Sequence, residues 1–174
     1  MVPWARVAGI CGGYQILGRQ LADEAGVEGP PGRALNGLGL LPVNTVFASV
    51  KQTYQASLRL ADGHVVQGYE IHMGATTRLD GAQPLGRIIR RGTQTVQVDD
   101  GAKVEDARIW GTYLHGIFED EAFRRGWLQR LGWRHAGEDG AQPVPSQWQA
   151  YDRLADAVES ATDWARIMHL LELV

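Results

Sequence analysis

The spacing of apolar residues changes along this chain, and each change marks an element. Residues 4–10 are a short apolar run closed by glycine, which predicts a buried strand. Over 12–24, Tyr14, Leu17 and Leu21 recur at helical spacing, so a helix is expected almost without a loop. Gly26 to Gly37, with Pro30, Pro31 and Gly32, predicts a loop. Five stretches then alternate β-branched or apolar residues with polar ones, at 38–43, 54–60, 64–72, 85–91 and 93–98, and predict strands. Asp62-Gly63 is a turn dipeptide, so 54–72 reads as a hairpin. Residues 107–115 predict one more apolar strand, ending at His115. Asp120 is placed to cap a helix over 121–131, with Phe123, Trp127 and Leu131 on one face.

Residues 134–145 are a polar, Gly/Pro-rich connection. Ser146 and Gln149 have capping-box spacing and open a helix with Trp148, Tyr151, Ala155 and Val158 expected to face inward. A last helix or turn over 163–173 carries Trp164, Ile167, Met168 and Leu171. This order predicts an α/β fold with a mixed sheet and an inserted hairpin region. The length of 174 residues suits one domain over 1–174.

Composition narrows the class. Apolar residues make up 44% and charged residues 21%, values of a globular chain and not of a disordered or fibrous one. Net charge is −3 and there is no basic run, so neither a nucleic acid nor an anionic membrane is an expected partner. No apolar stretch has the length of a membrane span, and no signal peptide is read at the N-terminus. Cys11 is the single cysteine, which excludes an internal disulfide framework and points to a reducing, cytoplasmic setting.

The same cysteine is the strongest candidate for chemistry. Gly9-Ile10-Cys11-Gly12-Gly13 lies between the first expected strand and helix, the setting of a nucleophile elbow. The glycines are expected to leave room where side chains would meet neighbouring backbone. The start of the long helix expected there would favour a thiolate, and the Gly12 N–H would point at a developing oxyanion. A thiolate nucleophile needs a base. His115 and His72 both end strands beside glycine and compete for that role, with His115 preferred. His64, His135 and His169 are expected to be solvated or packing residues. No phosphate-binding loop precedes Lys51 or Lys103, and one cysteine with scattered histidines does not make a zinc site.

Three blocks in order carry a resemblance: Gly9-Ile10-Cys11-Gly12-Gly13-Tyr14-Gln15-Ile16-Leu17-Gly18, Gly68-Tyr69-Glu70-Ile71-His72-Met73-Gly74 and Gly111-Thr112-Tyr113-Leu114-His115-Gly116-Ile117-Phe118. With Tyr151-Asp152-Arg153-Leu154-Ala155, they resemble the class I glutamine amidotransferase domain of the cobyric acid synthase family. The resemblance implies a flavodoxin-like mixed sheet with flanking helices. It implies that Cys11 attacks the side-chain amide of L-glutamine and passes through a thioester, with His115 moving protons and Gly12 in the oxyanion hole. It implies Gln15, His72 and Met73 as glutamine-binding positions, the last two through backbone. The ammonia released would amidate a corrinoid carboxylate activated by ATP. The implied partner is therefore a synthetase domain or subunit carrying the corrinoid, ATP and Mg²⁺, with no cofactor in this chain.

Two departures shape the expectations. Ile117 stands where many class I amidotransferases have a Glu two residues after the catalytic His, so a Cys–His dyad is expected, with Glu70 a weaker candidate to orient the base. About ten residues precede Cys11, so the chain is expected to be N-terminally truncated, without the early strands, the ATP site and the loop completing the oxyanion hole. A subunit amidating a cell-wall lipid precursor shares two blocks, but that branch usually has Asn where Ile71 precedes His72. An inactive remnant that binds a partner synthetase is the non-enzyme alternative.

Overall fold

A computed structural model describes residues 6–104, 107–133 and 147–171, and the chain divides into two compact units, Met1–Trp133 and Arg134–Val174. In the first unit, β1 (Val7–Ile10) lies parallel to β9 (Ile109–Thr112), with Gly9 opposite Gly111 and Ile10 opposite Thr112. β8 (Ala102–Val104) runs antiparallel on the other side of β9, so β1 is an edge of this three-stranded sheet among the described residues. Between β1 and β9 comes α1 (Gly12–Ile16), which packs back on both strands. The glycine pair makes that packing possible. A Cβ on Gly9 would meet Leu17 and the Gly13 carbonyl, and a Cβ on Gly111 would run into the Tyr14 ring.

A seven-stranded sheet is built on a long hairpin of β4 (Val43–Leu60) and β5 (Val65–Arg78). Its turn is the expected one: Gly63 takes φ 89°, and the Asp62 carboxylate accepts from the His64 N–H at 3.0 Å. β2 (Gln20–Asp23) runs parallel to β4 and antiparallel to β3 (Arg33–Asn36). β6 (Gly86–Arg91) pairs with β4 and with β7 (Gln94–Asp100), and β10 (Leu114–His115) pairs with β5. Alternation puts Ala56, Leu58, Val66, Ile88 and Leu114 on one face, where they bury against Trp110 and Ile117. α2 (Glu121–Arg130) covers this core with Phe123 and Trp127. Its cap is the expected Asp120, which accepts from the Phe123 N–H at 2.8 Å. Leu131, expected on the same face, is exposed.

Several expectations are corrected. The helix over 12–24 stops at Ile16, because Val43 claims the next backbone: its carbonyl accepts the Arg19 N–H at 2.8 Å, and β2 begins one residue later. Part of the 26–37 loop is strand, since Arg33–Asn36 pair with β2. Residues 38–42 are not strand, and the hairpin runs 43–78, well beyond 54–72. The strand over 107–115 breaks at Tyr113 and continues as β10 in the other sheet. In the second unit, α3 (Gln147–Ala161) and α4 (Trp164–Leu170) are helical, with Asp163 capping α4. Tyr151, Ala155 and Val158 are exposed there and do not face inward. The capping position Ser146, the connection 134–145 and the Trp148 side chain lie outside the described residues. Among the described residues no helix is long and apolar enough to cross a membrane.

The two kinds of glycine separate in a stability measurement. Gly111→Ala should cost about 1–3 kcal/mol by forcing the Tyr14 ring aside. Gly126→Ala, in α2 with open space around it, should stabilise by about 0.5–1 kcal/mol. Urea unfolding followed by circular dichroism reads both, and equal effects at the two positions would contradict this packing.

Candidate active site

Cys11 sits on the bend between β1 and α1 with φ 53° and ψ −116°, a left-handed conformation that a side chain adopts at a cost of about 1–3 kcal/mol. Backbone on both sides holds it there. The Cys11 N–H donates to the Thr112 carbonyl at 2.9 Å, and the Cys11 carbonyl accepts from the Gln15 N–H at 3.1 Å. The thiol donates to the Ile71 carbonyl on β5 at 3.4 Å. The elbow thus touches both sheets.

Gly12 and Gly13 are exposed, and a Cβ on either would meet nothing within 4 Å. All three elbow glycines were expected to relieve crowding; Gly9 does, together with Gly111 on β9, while over Gly12 and Gly13 the space is open. With five residues, α1 contributes far less field than the long helix expected there. What remains is local: the first N–H groups of any helix have no acceptor inside it, and here they border that space.

His115 lies at the end of a braced crossing between the sheets. The buried Asp100 carboxylate accepts from the Thr112 hydroxyl and, at 3.3 Å, from the Tyr113 N–H. The Thr112 hydroxyl oxygen accepts from the Leu114 N–H at 3.0 Å. These bonds fix the crossing from β9 to β10. Burial raises the Asp100 carboxyl above its ordinary value, although the Thr112 and Tyr113 bonds oppose it. At the end of the crossing the His115 ring stacks on Tyr69, 4.8 Å between centroids, and its buried Nε2 has no hydrogen-bond partner.

His72 is held through Nδ1 and its ring face, while its buried Nε2 has no hydrogen-bond partner. Its Nδ1 lies 2.9 Å from the Gly74 carbonyl, which can only accept, so Nδ1 carries the hydrogen. Its ring stacks on Tyr113 at 3.7 Å, and Nε2 faces Glu70 at 3.8 Å, outside hydrogen-bond range. Gln15 is buried and donates to the Tyr113 hydroxyl at 3.3 Å, and Met73 is half-buried. A Cβ on Gly74 would collide with the Gln15 amide. Glu70 binds Arg91 through two bonds of 2.6 and 2.8 Å and stands beside His72, so its carboxylate serves those two groups. Burial raises its carboxyl, but His72 and Arg91 outweigh that and hold it below its ordinary value.

Several residues around these were not singled out from the sequence. Tyr113 lies inside the third block and is the hub of the site, bonded to Gln15 and Thr76, stacked on His72 and edge-to-face with Tyr14. Thr45 extends the chain through Thr76 at 2.7 Å. Arg91 and Asp100 come from strands that no local pattern linked to Cys11. Among the described residues no cluster of three His, Cys, Asp or Glu side chains can hold a metal ion. A cavity of about 690 Å³ lined by Arg6, Gln83, Lys103 and Arg130 contains none of these residues in its wall.

A strained cysteine between strand and helix, in a mixed α/β fold with flanking helices, defines the class I glutamine amidotransferase type of domain. Residues 4–123 match the CobB/CobQ-like glutamine amidotransferase domain, and the chain belongs to that family. A cobyric acid synthase of Chloroflexus aurantiacus is 48% identical over 89% of this chain and 31% of its own length. That of Roseiflexus castenholzii is 44% identical over 96% of this chain and 34% of its own. A third, from Syntrophobacter fumaroxidans, is 37% identical over 96% of this chain. The chain thus spans about a third of the length of the curated relatives it matches.

The Glu70–Arg91 pair gives stability a sign with pH. Glu70 has a lowered folded-state value, so the pair contributes fully above the ordinary value of 4.5 and fades as pH falls through the lower one. Glu70→Gln should cost about 3 kcal/mol at pH 7, with the deficit shrinking toward pH 3. Urea midpoints for both proteins across that range test this, and a deficit independent of pH would refute it.

Proposed function

We propose that this chain is the glutaminase part of a cobyric acid synthase, supplying ammonia for amidation of corrinoid carboxylates in cobalamin biosynthesis. The observation that carries the reading is the left-handed backbone of Cys11 between β1 and α1. Such strain persists where it presents a reactive side chain. The Cys11 sulfur adds to the amide carbon of L-glutamine as its proton passes to His115. The Gly12 N–H donates to the oxygen that becomes negative. Collapse breaks the C–N bond, and the proton held by His115 leaves with ammonia. Water then hydrolyses the γ-glutamyl thioester, with His115 taking its proton, and glutamate is released.

The His115 Nε2 is buried without a hydrogen-bond partner, as a base awaiting substrate would be. The His72 Nε2 is likewise buried without a partner, 3.8 Å from Glu70, but its Nδ1 is held by the Gly74 carbonyl and its ring lies against Tyr113. His72 and Met73 instead offer backbone to the glutamine α-amino and α-carboxyl groups, with Gln15 behind them. ATP and Mg²⁺ belong to a synthetase partner that activates the corrinoid carboxylate, and this chain takes no cofactor of its own. The working place is the cytoplasm, where the lone thiol stays reduced.

Glutamine hydrolysis and ATP-dependent amidation, measured on the chain combined with a synthetase region from a relative, test this. Cys11→Ala should abolish glutamine use and leave amidation from free ammonia intact. His115→Ala should slow glutamine use by about 10²–10⁴-fold. Unchanged glutamine-dependent amidation in Cys11→Ala would overturn the assignment. A wild-type chain that neither hydrolyses glutamine nor reacts at Cys11 would identify an inactive partner-binding remnant instead.

A further inference from the structure

The ladder between β4 and β5 is interrupted beside the site. Phe47 pairs with Gly74 and Gln52 with His72, so five steps on β4 oppose two on β5, and Met73 has no register partner. The backbone at 72–74 therefore lacks the continuous pairing that fixes the rest of β5. It is also the backbone that matters: the Ile71 carbonyl holds the Cys11 thiol, and His72 and Met73 follow directly.

Side chains replace the missing ladder. Arg91 grips Glu70 through Nε at 2.6 Å and Nη2 at 2.8 Å, and lies 5.3 Å from the centre of the Tyr54 ring. Glu70 is almost wholly buried opposite Tyr54 and Leu114, so this carboxylate cannot wander. Its Oε1 faces His72 Nε2, while the other side of the imidazole bonds the Gly74 carbonyl. Tyr113 closes the ring face, itself pinned by Gln15 and Thr76. The imidazole lies between the Gly74 carbonyl, 2.9 Å from Nδ1, and the fixed Glu70 carboxylate, 3.8 Å from Nε2.

We propose that Glu70, held by Arg91, is a positioning residue of this site, setting through His72 the backbone of residues 72–74 against which glutamine's α-groups bind. The role rests on the glutaminase reading above. It differs from the orienting role toward His115 expected for Glu70, since its contacts run to His72. Loss of the Glu70 charge loosens the imidazole and weakens recognition of the glutamine backbone, while the Cys11 thiol itself stays in place on its elbow.

Inactivation of the full chain by a chloroketone analogue of glutamine tests this. Sulfur displaces chloride, a C–S bond replaces the C–Cl bond, and the thiol proton is released. Iodoacetamide, which alkylates the same thiol without glutamine's α-groups, is the control. In Glu70→Gln the half-saturating chloroketone concentration should rise on the order of tenfold to a hundredfold. The limiting inactivation rate and the iodoacetamide rate should stay within about twofold of wild type, and Glu70→Asp should recover part of the loss. If Glu70→Gln does not fold by circular dichroism, Arg91→Lys keeps the charge, breaks the two-pronged grip and should give the same split. Unchanged half-saturation in a folded variant overturns the positioning role and leaves the glutaminase reading standing. Equal slowing with both reagents also overturns it. A wild-type chain with no preference for the glutamine-shaped reagent overturns the glutaminase reading and this role with it.

Discussion

The parallel pairing of β1 with β9 is the constraint on which the site depends. It ends with Ile10 opposite Thr112, and the next N–H, that of Cys11, donates to the Thr112 carbonyl. One ladder therefore delivers the thiol and the start of the path to His115 to the same place. Two strands separated by about a hundred residues in sequence must be in register for this, and the register is set where two glycines face each other. Gly9 and Gly111 let α1 lie directly on the strands, so Tyr14 and Leu17 bury and the chain can turn sharply at Cys11.

Around this crossing, buried polar groups do the work that apolar packing cannot. Asp100, Thr112 and the Tyr113 N–H brace the step from one sheet to the other. Gln15, Tyr113, Thr76 and Thr45 form a chain of side-chain bonds, so the two hydroxyl-bearing strand positions and the elbow helix share one network. Directional bonds of this kind cost more when broken than they contribute net when made. Their value here is in selecting one arrangement among similarly packed ones. The Glu70–Arg91 pair belongs to the same logic. A buried ion pair gives little net stability, but it fixes a carboxylate at one place along an interrupted ladder.

Much of this was legible in the residue pattern. Strand alternation located most of the hairpin, Asp62-Gly63 marked its turn and Asp120 marked the start of α2, because each is a local preference expressed within a few residues. The Gly-x-Cys-x-Gly spacing located the elbow for the same reason: only a short list of backbones suits it. Helical spacing failed at 17–24. Tyr14 and Leu17 do bury, but Leu21 belongs to a strand because β3 and β4 offered partners to its backbone. A period shared by three residues cannot outweigh two ladders of hydrogen bonds. The strand over 107–115 failed in the opposite way, as one apolar run that serves two sheets.

The sequence by itself determined the family of elements, the candidate nucleophile and the two competing imidazoles, since each rests on residue type and near spacing. Tertiary structure alone decided which atoms those imidazoles meet. Glu70 was expected, at most, to orient the base, yet Arg91, brought in by β6 and by pairing with β4, draws its carboxylate to one side while His72 stands at the other. Of the elbow glycines only Gly9 has the expected role, shared with Gly111 rather than with Gly12 and Gly13, because what a missing side chain makes room for depends on what folds against it. Contacts between residues 20 to 100 positions apart follow from sheet register, and register is a property of strands together rather than of any one of them.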